Sequence, residues 1–424
     1  MVNVDRGGVV LAVLLSIGPI AVLAHGLLNA GSIFTGLLMI GATAALYLLG
    51  EWRSFSFGVC DAAFALLVFC IVLSFGVHGI GPDRKEFYLL ILSLAAYPAA
   101  RAIPGGLLSR GFILTTGAIV AAGTGATAVA LAAQWTHPHG KPFVFGYFDA
   151  APAQFTFVMG FLVIALACFA TTAKRALIIS SVIALPAVIF ATSMVRFAFV
   201  AILAGLTVCA LVAPRKERKF VVIIICVIVS CVAAGNLARS GTSAIFLYYA
   251  GVVSTPPGTD ALGPYTKQPA ELAPASQWQC KGIDQSDSIA IRKHLYSEAF
   301  SALVVAGLSG NGFDSFIRQS CTGASVHNSV LQTAIEFGWI AGAVFLALVT
   351  LSWVLMWGAA KSDAEARFIL AGLTFVMAMS MVHGRISQDG PLFLFLGYAV
   401  ARLSAERKVE VEKQPVAGQC LVTK

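Results

Sequence analysis

Charge is what this chain has least of: 11% of its 424 residues are Asp, Glu, Lys or Arg, against about 25% in an ordinary soluble domain. Hydrophobic residues make up 58%, so the composition describes a polytopic membrane protein. Several catalytic signatures are missing as well. There is no Walker A loop, serine-hydrolase elbow, HExxH or zinc ribbon, which leaves P-loop, serine-esterase and zinc-protease chemistry without their residues. No D-x-D occurs, only the D-x-x-D of Asp284 to Asp287, and that argues against metal-assisted use of a nucleotide sugar. His137, His139 and His294 have no ligand spacing, so no metal or other cofactor is expected. No basic block with interleaved aromatics stands on a soluble module, so nucleic acid is not an expected partner. Carboxylates inside the apolar runs are scarce, chiefly Asp61 and Glu336, fewer than an ion-coupled transporter needs.

The apolar runs themselves predict the architecture. At about 20 apolar residues per span, the sequence reads as an all-α integral membrane protein of about twelve transmembrane helices. Their centres fall near residues 18, 40, 68, 95, 122, 164, 184, 205, 229, 346, 376 and 396. Residues 1–235 hold nine spans, 236–326 one large outer loop, 327–403 three more spans, and 404–424 a charged tail. The amino-terminal run after Arg6 reads as a retained first span in preference to a cleaved signal. An even span count puts both termini on one side, and most of the 28 Lys and Arg then fall inside, with PRKERK at 214–219 the clearest cytoplasmic anchor. The first half of the large loop is proline-rich and irregular, while 286–308 reads as an amphipathic helix lying over the membrane.

Of nine cysteines, Cys70, Cys168, Cys209, Cys226 and Cys231 lie inside apolar runs as small core residues. Cys280 and Cys321 lie in the large loop. In an oxidising exterior compartment a bridge between them would cinch the loop beside His327 and contribute roughly 2–4 kcal/mol. Two free thiols are the alternative.

The most informative stretch runs from Gly307 to Ala343, GLSGNGFDSFIRQSCTGASVHNSVLQTAIEFGWIAGA. Gly310 and Gly312 flank Asn311 and suit a turn with φ > 0. A helix opens at His327 and Asn328, and Ser329, Gln332, Thr333 and Glu336 form a polar stripe along one of its faces. His327 points about half a turn away from that stripe. Its imidazole, unperturbed near 6.5, suits a general base, and a helix amino terminus would favour the neutral ring. Outer-face cations complete the set. Arg196 begins the run MVRFAFVAILAG, Arg292 shares a helical face with Tyr296, and Arg84 and Arg385 sit in short outer turns. Guanidinium forks at one bilayer face would suit a lipid-linked diphosphate and need no metal. Taken singly, each cation also reads as an interfacial anchor or a solvated side chain.

The segment R-x-x-x-x-x-x-A from Arg292 to Ala299, then GLSGNGFDSF and HNSVLQTAIEFGWIAG, resembles the bacterial O-antigen ligase and O-antigen polymerase superfamily. SMVRFAFVAILAG is similar to that family's Ser-x-x-Arg helix, and the layout of spans and loop also matches. One departure is Gly307-Leu308-Ser309-Gly310, where family turns often read proline-leucine-glycine before the second glycine. The resemblance implies a multi-span inner-membrane enzyme that moves a glycan from undecaprenyl diphosphate, without a metal and with inversion. By it, Arg196 and Arg292 hold the donor diphosphate and His327 activates the acceptor hydroxyl at the periplasmic face. The expected partners are the undecaprenyl-diphosphate-linked glycan donor, lipid A–core or a second lipid-linked glycan as acceptor, membrane lipids, and a chain-length regulator. Three readings stay open: ligase, polymerase, and a transporter that binds phosphate without chemistry. A polymerase would be expected to bring cations for two diphosphates in two sizeable outer loops. Only one outer loop is long here, and the earlier one carries just Lys141, which tilts the reading toward the ligase.

Overall fold

The computed structural model describes residues 2–50, 56–81, 83–103, 105–106, 108–135, 141–239, 288–382 and 384–413. Among them are sixteen α-helices and one 3-10 turn, with no strand beyond an isolated bridge between Val144 and Phe148. The first ten are α1 (Val2–Leu15), α2 (Ile17–Leu28), α3 (Ser32–Leu49), α4 (Val59–His78), α5 (Arg84–Arg101), α6 (Arg110–Ala133), α7 (Ala151–Cys168), α8 (Ala173–Thr192), α9 (Phe197–Val212) and α10 (Arg215–Ala238). There follow α11 (Ser288–Ala306), α12 (Ser315–Gln319), α13 (Ser329–Phe337), α14 (Trp339–Ala359), α15 (Ala364–Ser380), the 3-10 turn Ile386–Gln388, and α16 (Gly390–Lys413).

Among the described residues, six helices are long and apolar enough to cross a membrane, or seven if α1 and α2, bent by 75° at their junction, count as one broken span. Each of the twelve expected span centres lies inside a helix. The difference in count has a physical cause. The 16 residues of α9 rise only about 24 Å, short of a hydrocarbon core of about 30 Å. α5 begins Arg-Lys-Glu and ends on Arg101, and α15 carries Glu365 and Arg367 in its first turns. The outward side chains are those of a lipid-facing surface: Leu28, Leu48, Leu114, Leu177 and Val200 are all exposed, Leu48 at 87%. An apolar surface that large is not one a water-soluble monomer maintains.

α7 and α15 sit at the centre, packed on α9 and, for α15, on α14 and α16 as well. α5 packs along α16, and α8 along α10. Polar side chains collect at the two ends of α4. At its start, Asp61 pairs with Arg101 at 3.1 Å, accepts a hydrogen bond from the Tyr97 hydroxyl at 3.0 Å, and is buried. At its end, the Ser74 hydroxyl donates to the Glu336 carbonyl at 3.1 Å, and His78 lies beside Gly312. Twenty residues of helix, about 30 Å, separate these two belts. The second belt is where the motif-bearing segments meet.

Candidate functional site

The site is built on a short second layer. Leu295 and Ala299 of α11, Phe316 of α12, Val326 just before His327, and Ile335 of α13 form a small buried core of their own. It docks α11, which carries Arg292 and Tyr296, over α13, which follows His327.

The glycine turn fastens this layer to the bundle. Asn311 N–H donates to the Ile335 carbonyl at 2.9 Å, and Gly312 N–H donates to that of Glu336 at 3.0 Å. These carbonyls end α13, where no later turn of the helix can bond them, and that of Glu336 also accepts from the Ser74 hydroxyl. Gly310 (φ 73°) and Gly312 (φ 88°) take the left-handed conformations expected of them. A Cβ on Gly310 would stand 2.2 Å from the Glu336 carbonyl oxygen. The turn therefore serves as a brace for the helix behind the histidine.

The helix expected to run from His327 straight into a span is in fact two. Gly338, at φ 100°, breaks it between α13 and α14, because the chain there passes within van der Waals reach of the Leu308 carbonyl and leaves no room for a Cβ. The polar stripe turns inward: Ser329, Gln332, Thr333 and Glu336 are all buried. The Gln332 side-chain oxygen accepts from Ile386 N–H at 3.1 Å, and the Thr333 hydroxyl donates to the Ser329 carbonyl at 2.6 Å. Gln332 thus holds α13 to the turn between α15 and α16, while the Thr333 bond stays within the helix.

Asn328 caps α13, its side-chain oxygen accepting from Leu331 N–H at 3.0 Å. His327, immediately outside the cap, has φ 56°, a left-handed conformation that residues with a Cβ adopt at a cost of about 1–3 kcal/mol. Burial lowers the pKa of its imidazole from the ordinary value, and the positive charge of Arg292 lowers it further. Both effects favour the neutral, basic ring.

Arg292 is half-buried with its guanidinium over the ring of Phe197, 4.2 Å from the centroid. Burial lowers its pKa, and the neighbouring Tyr296 opposes that shift. The Tyr296 hydroxyl donates to the Met381 carbonyl at 3.2 Å, tying α11 to the end of α15. Phe197 starts α9, and Arg196 occupies its N-cap position just after Met194, another left-handed residue at φ 62°. Arg196, Phe197 and Arg292 thus meet at the amino end of α9, where the helix dipole also favours anions, and His327 lies near enough to Arg292 for that charge to act on its imidazole.

The two other expected members of the cation set have settings of their own. Arg385 is held between Glu86 at 3.1 Å and Asp314 at 2.5 Å, so it ties α5, the segment before α12 and the α15–α16 turn together. Burial raises the Asp314 pKa and Arg385 partly offsets this. Arg84 is exposed on the first turn of α5, beside the N-cap Asp83. Near Arg385 a cavity of about 340 Å³ is lined by Asp83, Asp314, Ile317, Arg318, Gly323, Ser325 and Arg385.

Cys321 is disulfide-bonded; Cys280, the partner expected from the sequence, lies outside the described residues. Glu298 of α11 clamps this loop, accepting from Cys321 N–H at 3.2 Å and from the Ser320 hydroxyl at 2.7 Å. His294, Glu298 and Cys321 bring ligand-type atoms within 4.8 Å of one another. With its sulfur in a disulfide, Cys321 has no thiolate to offer a metal.

Phe197, Glu298 and Asp314 were not singled out from the sequence. Glu298 stood four residues after His294 on one helix face, a visible pairing signal. Nothing in the sequence marked the other two. No family model matches this chain, and no curated protein matches it.

Proposed function

We propose that this protein is a membrane glycosyltransferase that moves a glycan from a polyprenyl diphosphate to a sugar hydroxyl. The observation carrying the reading is the convergence of His327 with Arg292, seated on Phe197 beside Arg196. Two guanidinium groups at a helix amino terminus suit a diphosphate. A histidine held neutral next to them suits a general base. In the reaction, His327 takes the proton of the acceptor hydroxyl as its oxygen attacks the anomeric carbon from the face opposite the leaving group. The bond from that carbon to the diphosphate oxygen breaks, and Arg196 and Arg292 take up the charge left on the departing lipid diphosphate. The configuration inverts. The same side chains serve both substrates without a metal, so a chelator should leave the rate unchanged; loss restored by a divalent cation would contradict this.

The fuller reading is an O-antigen ligase of the inner membrane, with twelve spans, cytoplasmic termini, residues 236–326 in the periplasm, and lipid A–core as acceptor. The resemblance of the Arg292–Ala343 segments supports it, as does the single long outer loop. Reconstitution with labelled undecaprenyl-diphosphate oligosaccharide, alone and then with lipid A–core, tests it. Product that forms only on lipid A–core is the expected result. A ladder from the donor alone would make the protein a polymerase, and no product from either would favour transport without chemistry.

A further inference from the structure

We infer that the cavity beside Arg385 is a sugar-binding subsite for the acceptor glycan, an assignment that rests on the glycosyl-transfer reading. Its size, about 340 Å³, lies within the range of small-ligand sites, roughly 300–1,000 Å³. Its lining decides the ligand class. Two carboxylates, Asp83 and Asp314, face two guanidinium groups, Arg318 and Arg385, with the Ser325 hydroxyl beside them. Formal charge cancels, so neither a diphosphate nor a divalent cation finds an excess of opposite sign. Donors and acceptors side by side instead match a neutral polyol, whose hydroxyls both donate and accept. Ile317 supplies an apolar wall for ring carbons.

Three of the charged lining residues are also held in place. Arg385 cannot swing away, because Glu86 and Asp314 grip it from two sides. Asp314 is buried in a left-handed backbone conformation at φ 58°. Asp83 is fixed as the cap of α5, accepting from Lys85 N–H at 3.0 Å. Position completes the argument. Gly323 and Ser325 belong to the segment that delivers His327, whereas Arg196, Phe197 and Arg292 do not line the cavity. The acceptor sugar would enter on the cavity side of His327, and the diphosphate on the α9 side.

Arg318 is the residue to change, since it is exposed and makes only a long 3.4 Å hydrogen bond to the Phe313 carbonyl. With full-length protein in detergent, Arg318→Ala should raise the acceptor KM about tenfold, the loss of one charge-assisted hydrogen bond, and leave the donor KM unchanged. Saturation-transfer NMR with core oligosaccharide released from lipopolysaccharide should show binding to wild type that Arg318→Ala and Ser325→Val weaken and inorganic pyrophosphate does not displace. Wild-type transfer with an unchanged acceptor KM in Arg318→Ala would overturn the subsite and leave the transfer reading standing. Oligosaccharide binding lost in Arg318→Ala, in a protein that transfers nothing, would keep the sugar site and remove the reaction. Displacement by pyrophosphate would overturn the assignment to a neutral sugar.

Discussion

Two glycines three residues apart offer an internally controlled test of how the histidine is held. Gly307 and Gly310 both have φ > 0, at 62° and 73°. A Cβ on Gly307 meets nothing within 4 Å, whereas one on Gly310 stands 2.2 Å from the Glu336 carbonyl oxygen, 2.4 Å from its carbon and 2.6 Å from the Gly338 nitrogen. Gly307→Ala should therefore cost only the backbone strain, about 1–2 kcal/mol. Gly310→Ala adds a clash with backbone atoms that no rotamer can relieve. The turn must lift, giving up the hydrogen bonds from Asn311 and Gly312 to the end of α13, about 1 kcal/mol each. The total is roughly 3–4 kcal/mol. Thermal unfolding in detergent should place Gly310→Ala well below Gly307→Ala, with Gly307→Ala modestly below wild type. Transfer should also fall in Gly310→Ala at temperatures where the protein remains folded, because α13 carries the cap that follows His327. Equal midpoints for the two variants would refute the brace.

Other expectations follow from the same geometry. Phe197→Leu removes the ring under Arg292, a contact worth about 1 kcal/mol, and should raise the donor KM about fivefold with little change in acceptor KM. Because burial and Arg292 both hold the His327 pKa down, the acid limb of the rate profile should lie below about 6.5, the value for free imidazole. Arg292→Gln should move that limb upward; an unmoved limb would separate the two residues. The linked stability term has the same origin: His327 binds its proton less readily folded than unfolded, so stability falls as pH drops below about 6.5. Arg385→Met leaves the buried Glu86 and Asp314 facing each other unpaired, which should cost about 3–5 kcal/mol and lower the unfolding midpoint. A midpoint equal to wild type would remove Arg385 as a tie.

Much of this arrangement was legible in the chain because its signals were local. Every expected span centre falls in a helix, since a continuous apolar run announces itself without reference to anything distant. The positive φ of Gly310 and Gly312 and the cap at Asn328 likewise follow from residue type and near neighbours. What the sequence hid depends on contacts between remote segments. Arg385 read as one more outer cation because Glu86 and Asp314, which hold it, come from other parts of the chain. The polar stripe of α13 gave its periodicity but not its direction, and it faces the interior. The break at Gly338 was masked by the apolar residues on either side, and its cause, the Leu308 carbonyl, lies a loop away. Phe197 beneath Arg292 was likewise visible only in three dimensions.

The central claim is that His327 removes the acceptor proton. Single-turnover transfer from labelled undecaprenyl-diphosphate oligosaccharide to lipid A–core, compared between wild type and His327→Ala together with donor affinity, tests it most directly. The account predicts a rate lowered by about 10²–10⁴-fold with donor affinity nearly unchanged. Transfer by His327→Ala at the wild-type rate would contradict it.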